Sequence, residues 1–166
     1  MAERLFLAVV GSRNSGKSTT WHTLFGHRVK TGKEPRKLNL GKGQTTDVFL
    51  ISGSNEERGL YADDVLKDVD CRIVLCSVQY IKGAFESTWN HVFDAGFSIY
   101  AQWLNPGHDE TDWFDGLGLT NILLSYGGIV SVRDGREGQG RLHYRVEEIR
   151  QYIHGWAAAR NLVTFE

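Results

Sequence analysis

The sequence predicts an α/β fold: one domain, with a mostly parallel sheet of about five strands and helices on both faces. Short apolar runs rich in Val, Ile, Leu and Phe, lacking strict alternation, suit parallel strands covered on both sides. Segments of helical period separate these runs, and strand–helix alternation implies right-handed crossovers. The first run, LFLAVV, also passes through a glycine-bearing turn straight into an amphipathic segment.

The expected strands are 5–10, 48–52, 72–78, 97–104 and 122–132, the last broken near Gly127-Gly128. The first helix is marked by Trp21, Leu24 and Phe25 at i, i+3, i+4, with Gly26 as its stop. Tyr61, Val65 and Val69 form a second stripe, and Phe85, Trp89, Val92 and Phe93 a third, ended by Gly96. The last stripe is Val146, Ile149, Ile153, Trp156 and Ala157. Glu147 and Glu148 are placed in its first turn and Arg160 in its last, as the helix dipole prefers. Before it, 129–132 and 142–146 read as a C-terminal hairpin about a turn at Asp134-Gly135, whose tip can serve as a lid.

At 166 residues the chain is one domain's worth, 1–166, without internal repeat or linker. A hydrophobic share of 41% and a charged share of 23% fit a globular protein, and a net charge of −1 excludes a surface that is basic throughout. Cys71 and Cys76 lie in or beside an apolar run, form no ligand pattern and point to a reducing compartment. No run approaches the ~20 apolar residues of a membrane span, and no leader pattern opens the chain. A cytoplasmic location without membrane contact is therefore expected.

The stretch VVGSRNSGKSTTWHTLFG holds Gly11, four variable residues and then Gly16-Lys17-Ser18. The glycines let successive backbone N–H groups converge on one anion, and the following helix points its positive end at the same place. Gly11, Ser12, Arg13, Asn14, Ser15, Gly16, Lys17, Ser18 and Thr19 are the candidate phosphate contacts. Lys17 can neutralise phosphate charge as the catalytic cation, and the Ser18 hydroxyl can ligate Mg²⁺. In these residues the chain resembles the P-loop NTPase superfamily. The resemblance implies a nucleoside triphosphate with Mg²⁺, ATP before GTP, and hydrolysis or phosphoryl transfer.

Two signatures that usually accompany such a loop are missing. Neither VFLISGSNEER nor RIVLCSVQY ends its strand in Asp. Ser52, Ser54, Ser77 and Gln79 occupy the expected places. Glu56 and Glu57 are the nearest acids, as metal or water-activating candidates or as a solvated pair. The spacing is similar to that of small GTPases, which implies a switch threonine at Thr45 or Thr46. Yet D-x-x-G is absent where expected, since the strand runs into Ser52-Gly53-Ser54-Asn55, and Asn105-Pro106-Gly107-His108-Asp109 stands where N-K-x-D would read guanine. Asn105 and Asp109 remain base-contact candidates, and His108 with Asp109 a candidate acid–base pair. The bland reading of 105–115 is a loop with Thr111 capping and Trp113, Phe114 and Leu117 packing beneath.

The chain also resembles small P-loop kinases, which close an arginine-bearing lid over the phosphates. That assigns a lid role to Arg133, Arg136 and Arg141. Between His27 and Thr46, six Lys or Arg stand against Glu34, an excess of +5. With four glycines from Gly26 onward and one proline, this segment is expected to be an exposed, mobile loop. It can hold an anionic second substrate or a protein partner, or order as a switch. Nucleic acid is a further candidate, although the aromatic interleaving of single-strand binders is missing. Two function classes therefore stand: an ATP·Mg²⁺-dependent hydrolase or small phosphotransferase, and a nucleotide-gated regulatory module of a larger assembly.

Overall fold

Leu5–Gly11 forms the central strand β1, buried along its whole length. The structure is a computed structural model that describes residues 3–32, 34–53, 70–82, 84–109, 114–138 and 140–166. After β1 come α1 (Lys17–Phe25), β2 (Arg36–Gly41), β3 (Gln44–Ile51), β4 (Ile73–Gln79) and α2 (Ala84–Asp94). Then follow β5 (Ser98–Leu104), α3 (Leu119–Ser125), β6 (Ile129–Arg133), α4 (Arg141–Ala158) and β7 (Thr164–Phe165). The stripe at 61–69, the acids Glu56 and Glu57, Ser54, and Thr111 and Trp113 lie outside the described residues.

The sheet runs β2-β3-β4-β1-β5-β6, with β7 also paired to β3. Neighbours from β3 through β6 are parallel, whereas β2 and β7 join β3 antiparallel. The α/β class and the helices on both faces match the sequence pattern. The sheet is mixed, however, and has seven strands among the described residues rather than about five.

Alternation along β1 divides the core. Phe6, Ala8 and Val10 face α2 and α3 through Trp89, Val92, Leu119 and Leu123. Leu5, Leu7 and Val9 face α1 and α4 through Trp21, Leu24, Ile149 and Ile153. One polar relay crosses the second layer: Trp21 Nε1 donates to Ser77 Oγ (2.8 Å), which donates to the Ser52 carbonyl (2.6 Å). It ties α1 to β4 and to the end of β3.

Three expectations are corrected. The segment expected to be a mobile loop contains β2 and its tight turn into β3. Leu38 and Leu40 alternate with polar residues, Leu38 is buried, and Lys42 and Gly43 turn with positive φ. Residues 122–125, expected to open the last strand, belong to α3 instead. The Asp115 carboxylate accepts the N–H groups of Leu119 (2.8 Å) and Thr120 (3.0 Å), supplying the cap that starts it. The C-terminal hairpin is absent, because β6 pairs parallel with β5 and residue 141 opens α4. Glu147 and Glu148 therefore lie beyond the first turn, and Arg160 follows the helix. Burial of Arg145, Val146, Ile149, Ile153 and Trp156 shows the helical period that outweighs the local alternation of Leu142 to Val146.

The relay is testable by substitution at Trp21. Trp21→Phe keeps most of the packing and removes one buried donor, for an expected loss of about 1 kcal/mol. Trp21→Ala also opens a cavity, for about 3–5 kcal/mol. Urea unfolding of the three proteins measures the difference.

Candidate functional site

Parallel strands deliver their C-terminal ends to one edge of the sheet, where α/β proteins place ligands. At that edge the Gly11–Ser18 loop leaves β1. Asn14 (φ 59°) and Gly16 (φ 107°) both take left-handed backbone, which Gly16 adopts without steric cost. Ser15 N–H closes the loop on the Ser12 carbonyl (3.2 Å). The helix α1 then starts with no side-chain cap and no acid in its first turn. Its N–H donors and the positive end of its dipole are left for a ligand.

A cavity of about 260 Å³ lies over this helix start, lined by residues 14–19 together with Ser52 and His108. No Asp or Glu lines it among the described residues. Two further features of the loop bear on what the cavity could hold. The Ser15 hydroxyl is wholly buried and has no hydrogen-bond partner. Lys17 is 6% exposed, and its Nζ donates to the carbonyls of Ser12 (2.7 Å) and Gly11 (3.2 Å). The cation is thus held within its own loop, where ligand oxygens would compete for the same donors. Ser18 is exposed on the first turn of α1 and Thr19 is half-buried.

Two other strand ends brace the loop. His108 N–H donates to the Ser15 carbonyl (2.8 Å), and Gly135 N–H to the Pro106 carbonyl (2.7 Å). The approach is close enough to require glycine. A Cβ on Gly107 would meet Ser15 Cβ at 2.8 Å, and one on Gly135 would meet the Ser15 carbonyl at 2.7 Å.

Beneath the loop lies a buried cation. Arg145, 3% exposed, donates to Thr20 Oγ1 (2.5 Å) and, at longer range, to Gln102 Oε1 (3.4 Å), while its Nε has no partner. Among the described residues no carboxylate is hydrogen-bonded to it. Burial lowers the guanidinium to about 10, opposed by the nearby charges of Asp134 and Glu137, so it stays protonated at neutral pH. Isolating such a charge from water costs several kcal/mol. Sequence reasoning passed over Arg145. Its signal was a cation on the apolar stripe of α4, hidden when 142–146 was read as a strand.

The remaining candidates fall into two groups. At the site edge, Asn105 donates its N–H to the Arg133 carbonyl (2.9 Å), and the exposed Asp109 lies beside Gly107. Neither lines the cavity; His108 does. Arg133 pairs with Glu148 (2.5 Å), Arg136 with Asp134 (2.6 Å) and Arg141 with Asp134 (3.4 Å). The arginines expected to form a lid are therefore engaged with carboxylates, and none lines the cavity. Bonding to Arg136 holds the Asp134 carboxyl down at about 2. Farther away, Thr46 sits near the start of β3, at the opposite sheet edge, donating to the Leu162 carbonyl (2.9 Å). Gln79 pairs in register with Gly11, so an amide stands beside the loop where a strand-end acid was sought. Ser77 is spent on the Trp21–Ser52 relay.

A second, more open cavity of about 430 Å³ adjoins the first through Ser18 and Ser52 and is edged by His22, Arg28 and Lys30. Its wall is pinned. His22 donates to the Val29 carbonyl (3.2 Å), Ser52 N–H to Thr31 Oγ1 (2.9 Å) and Gly32 N–H to the Leu50 carbonyl (3.1 Å). Among the described residues no group of three or more His, Cys, Asp or Glu is placed to hold a metal. No described helix is long and apolar enough to cross a membrane. A scan of protein-family models and a search of curated protein sequences each find no match to the chain.

The bracing predicts that Gly135→Ala displaces the Ser15 carbonyl and destabilises the fold by about 1–3 kcal/mol. Gly155→Ala, on α4 with open space around the new Cβ, is expected to be neutral or stabilising by up to about 1 kcal/mol. Thermal unfolding of both variants checks the contrast.

Proposed function

We propose that the chain is a P-loop protein that binds a nucleoside triphosphate with Mg²⁺, ATP before GTP, and acts as a hydrolase or small phosphotransferase. The observation that carries this is the uncapped start of α1, with Lys17 and Ser18 over a cavity that no described acid lines. Backbone donors from Ser12 to Ser18 would cradle the β- and γ-phosphates, and Thr19 would reach the next phosphate inward. Lys17 would exchange the Gly11 and Ser12 carbonyls for phosphate oxygens. The Ser18 hydroxyl fits Mg²⁺, which when bound neutralises phosphate charge. Where transfer is to a second molecule, the cavity beside Arg28 and Lys30 suits an anionic one. The two free, buried cysteines fit a reducing compartment, so the cytoplasm is the proposed location.

A second reading is a nucleotide-gated module with little turnover of its own. It is favoured by the lack, among the described residues, of a carboxylate at the cavity and by the ion pairs that occupy Arg133, Arg136 and Arg141. A partner would then supply the missing group, as the basic segment allows.

Calorimetric titration with ATP·Mg²⁺ and GTP·Mg²⁺, paired with phosphate release, separates these readings. Wild type is expected to bind and Lys17→Ala to lose at least about tenfold in affinity, as befits removal of a charge-assisted contact. Release dependent on Lys17 makes the chain an enzyme. Binding without release makes it the gated module, and binding of neither nucleotide refutes both.

A further inference from the structure

The polar layer below the loop is arranged as a chain of donors. Arg145 Nη1 donates to Thr20 Oγ1 (2.5 Å), and Thr20 Oγ1 donates to the Gly16 carbonyl (2.9 Å). That carbonyl shares a peptide unit with the Lys17 N–H, the first amide of α1. Donation to a peptide oxygen draws electron density from its nitrogen, so charge at one end of such a chain strengthens the donor at the other. Arg145 Nη2 also lies 3.5 Å from the point where a Cβ on Gly16 would sit. The guanidinium therefore acts on the loop from behind, out of solvent, where screening is least.

Its hydrogen-bond partners are all neutral: the Thr20 hydroxyl and the Gln102 side-chain carbonyl, with Nε unpartnered. Gln102, itself fully buried on β5, donates back to the Arg145 carbonyl (2.9 Å), so the layer is fixed in place. Asp134 and Glu137 lie near enough for their charges to favour the guanidinium, but neither is hydrogen-bonded to it. Glu148 binds Arg133 and Tyr100, and Asp134 binds Arg136. A buried cation whose hydrogen-bond partners are all neutral is only partly compensated by carboxylates at longer range.

We propose that Arg145 is a positioning residue for phosphate binding: the buried counter-charge of the ligand, acting through Thr20 and the Gly16–Lys17 peptide. This rests on the reading of the loop as a phosphate site. The charge is a burden on the unliganded fold and is compensated when an anion occupies the loop. Binding and stability are thereby set against each other at one residue.

The test compares wild type, Arg145→Met and Arg145→Lys. Affinities for inorganic pyrophosphate and ATP·Mg²⁺ are taken by calorimetry, and urea midpoints are taken without ligand. Arg145→Met is expected to lose about tenfold or more in affinity for both, as one nearby charge at intermediate dielectric requires. Its unliganded midpoint stays at or above that of wild type. Arg145→Lys, which restores charge but not shape, is expected to stay within about threefold of wild type. A lower midpoint in Arg145→Met with unchanged affinity would make Arg145 a structural strut and overturn the proposal. Equal losses in the Lys and Met variants would overturn it as well. Should Arg145→Met fail to fold, the unliganded burden is refuted, and Arg145→Lys against Arg145→Gln decides the charge role in the same way. Wild type that binds neither probe removes the phosphate reading and this inference together. Wild type and Arg145→Met binding alike removes the inference alone.

Discussion

The site depends on one constraint: β1 is held between two parallel neighbours, buried on both faces, to its last residue. Gly11 is in register with Gln79 of β4, and Val10 with Trp103 of β5. The backbone that leaves β1 therefore starts from a fixed point, and the Tyr80 N–H on the Gly11 carbonyl (2.9 Å) carries that rigidity past the strand end. Loop donors can be aimed at an anion only if the frame beneath them does not move. The same register sets the loops after β5 and β6 against Ser15, where only glycine fits.

Polar groups in this frame are grouped by purpose. On one side of α1 the Trp21–Ser77–Ser52 relay is closed, each hydroxyl and indole N–H satisfied inside the protein. It holds α1 against the sheet. On the other side, Ser15 Oγ and Arg145 Nε are buried without a partner, and Lys17 donates to loop carbonyls. Satisfied networks stabilise folds, whereas a buried group without a partner calls for an explanation, which at the loop the proposed ligand would supply. The division falls along α1, with its N-terminus on the open side.

Much of the fold was legible because β1, β4 and β5 are short, apolar and bounded by clear breaks. The phosphate-loop pattern was legible because its glycines and lysine sit at fixed spacing. What failed did so where two periods overlapped. Leu142 to Val146 alternates locally, yet its longer helical stripe wins by burying α4 across three turns, and that error concealed Arg145. Ile122, Leu123 and Leu124 look like strand until the capping Asp115 is counted. For β2, the alternation of Leu38 and Leu40 and the Gly41-Lys42-Gly43 turn were present but masked by the charge of their neighbours. The convergence on Ser15 could not be read at all, since it joins residues from three separate strand ends.

The most direct measurement follows the backbone amide resonances of the protein during titration with ATP·Mg²⁺. Saturable shifts that are largest at Gly16, Lys17, Ser18 and Thr19, with smaller ones at His108, are expected if the start of α1 receives the phosphates. Shifts confined to other parts of the molecule, or none at saturating nucleotide, would contradict that assignment.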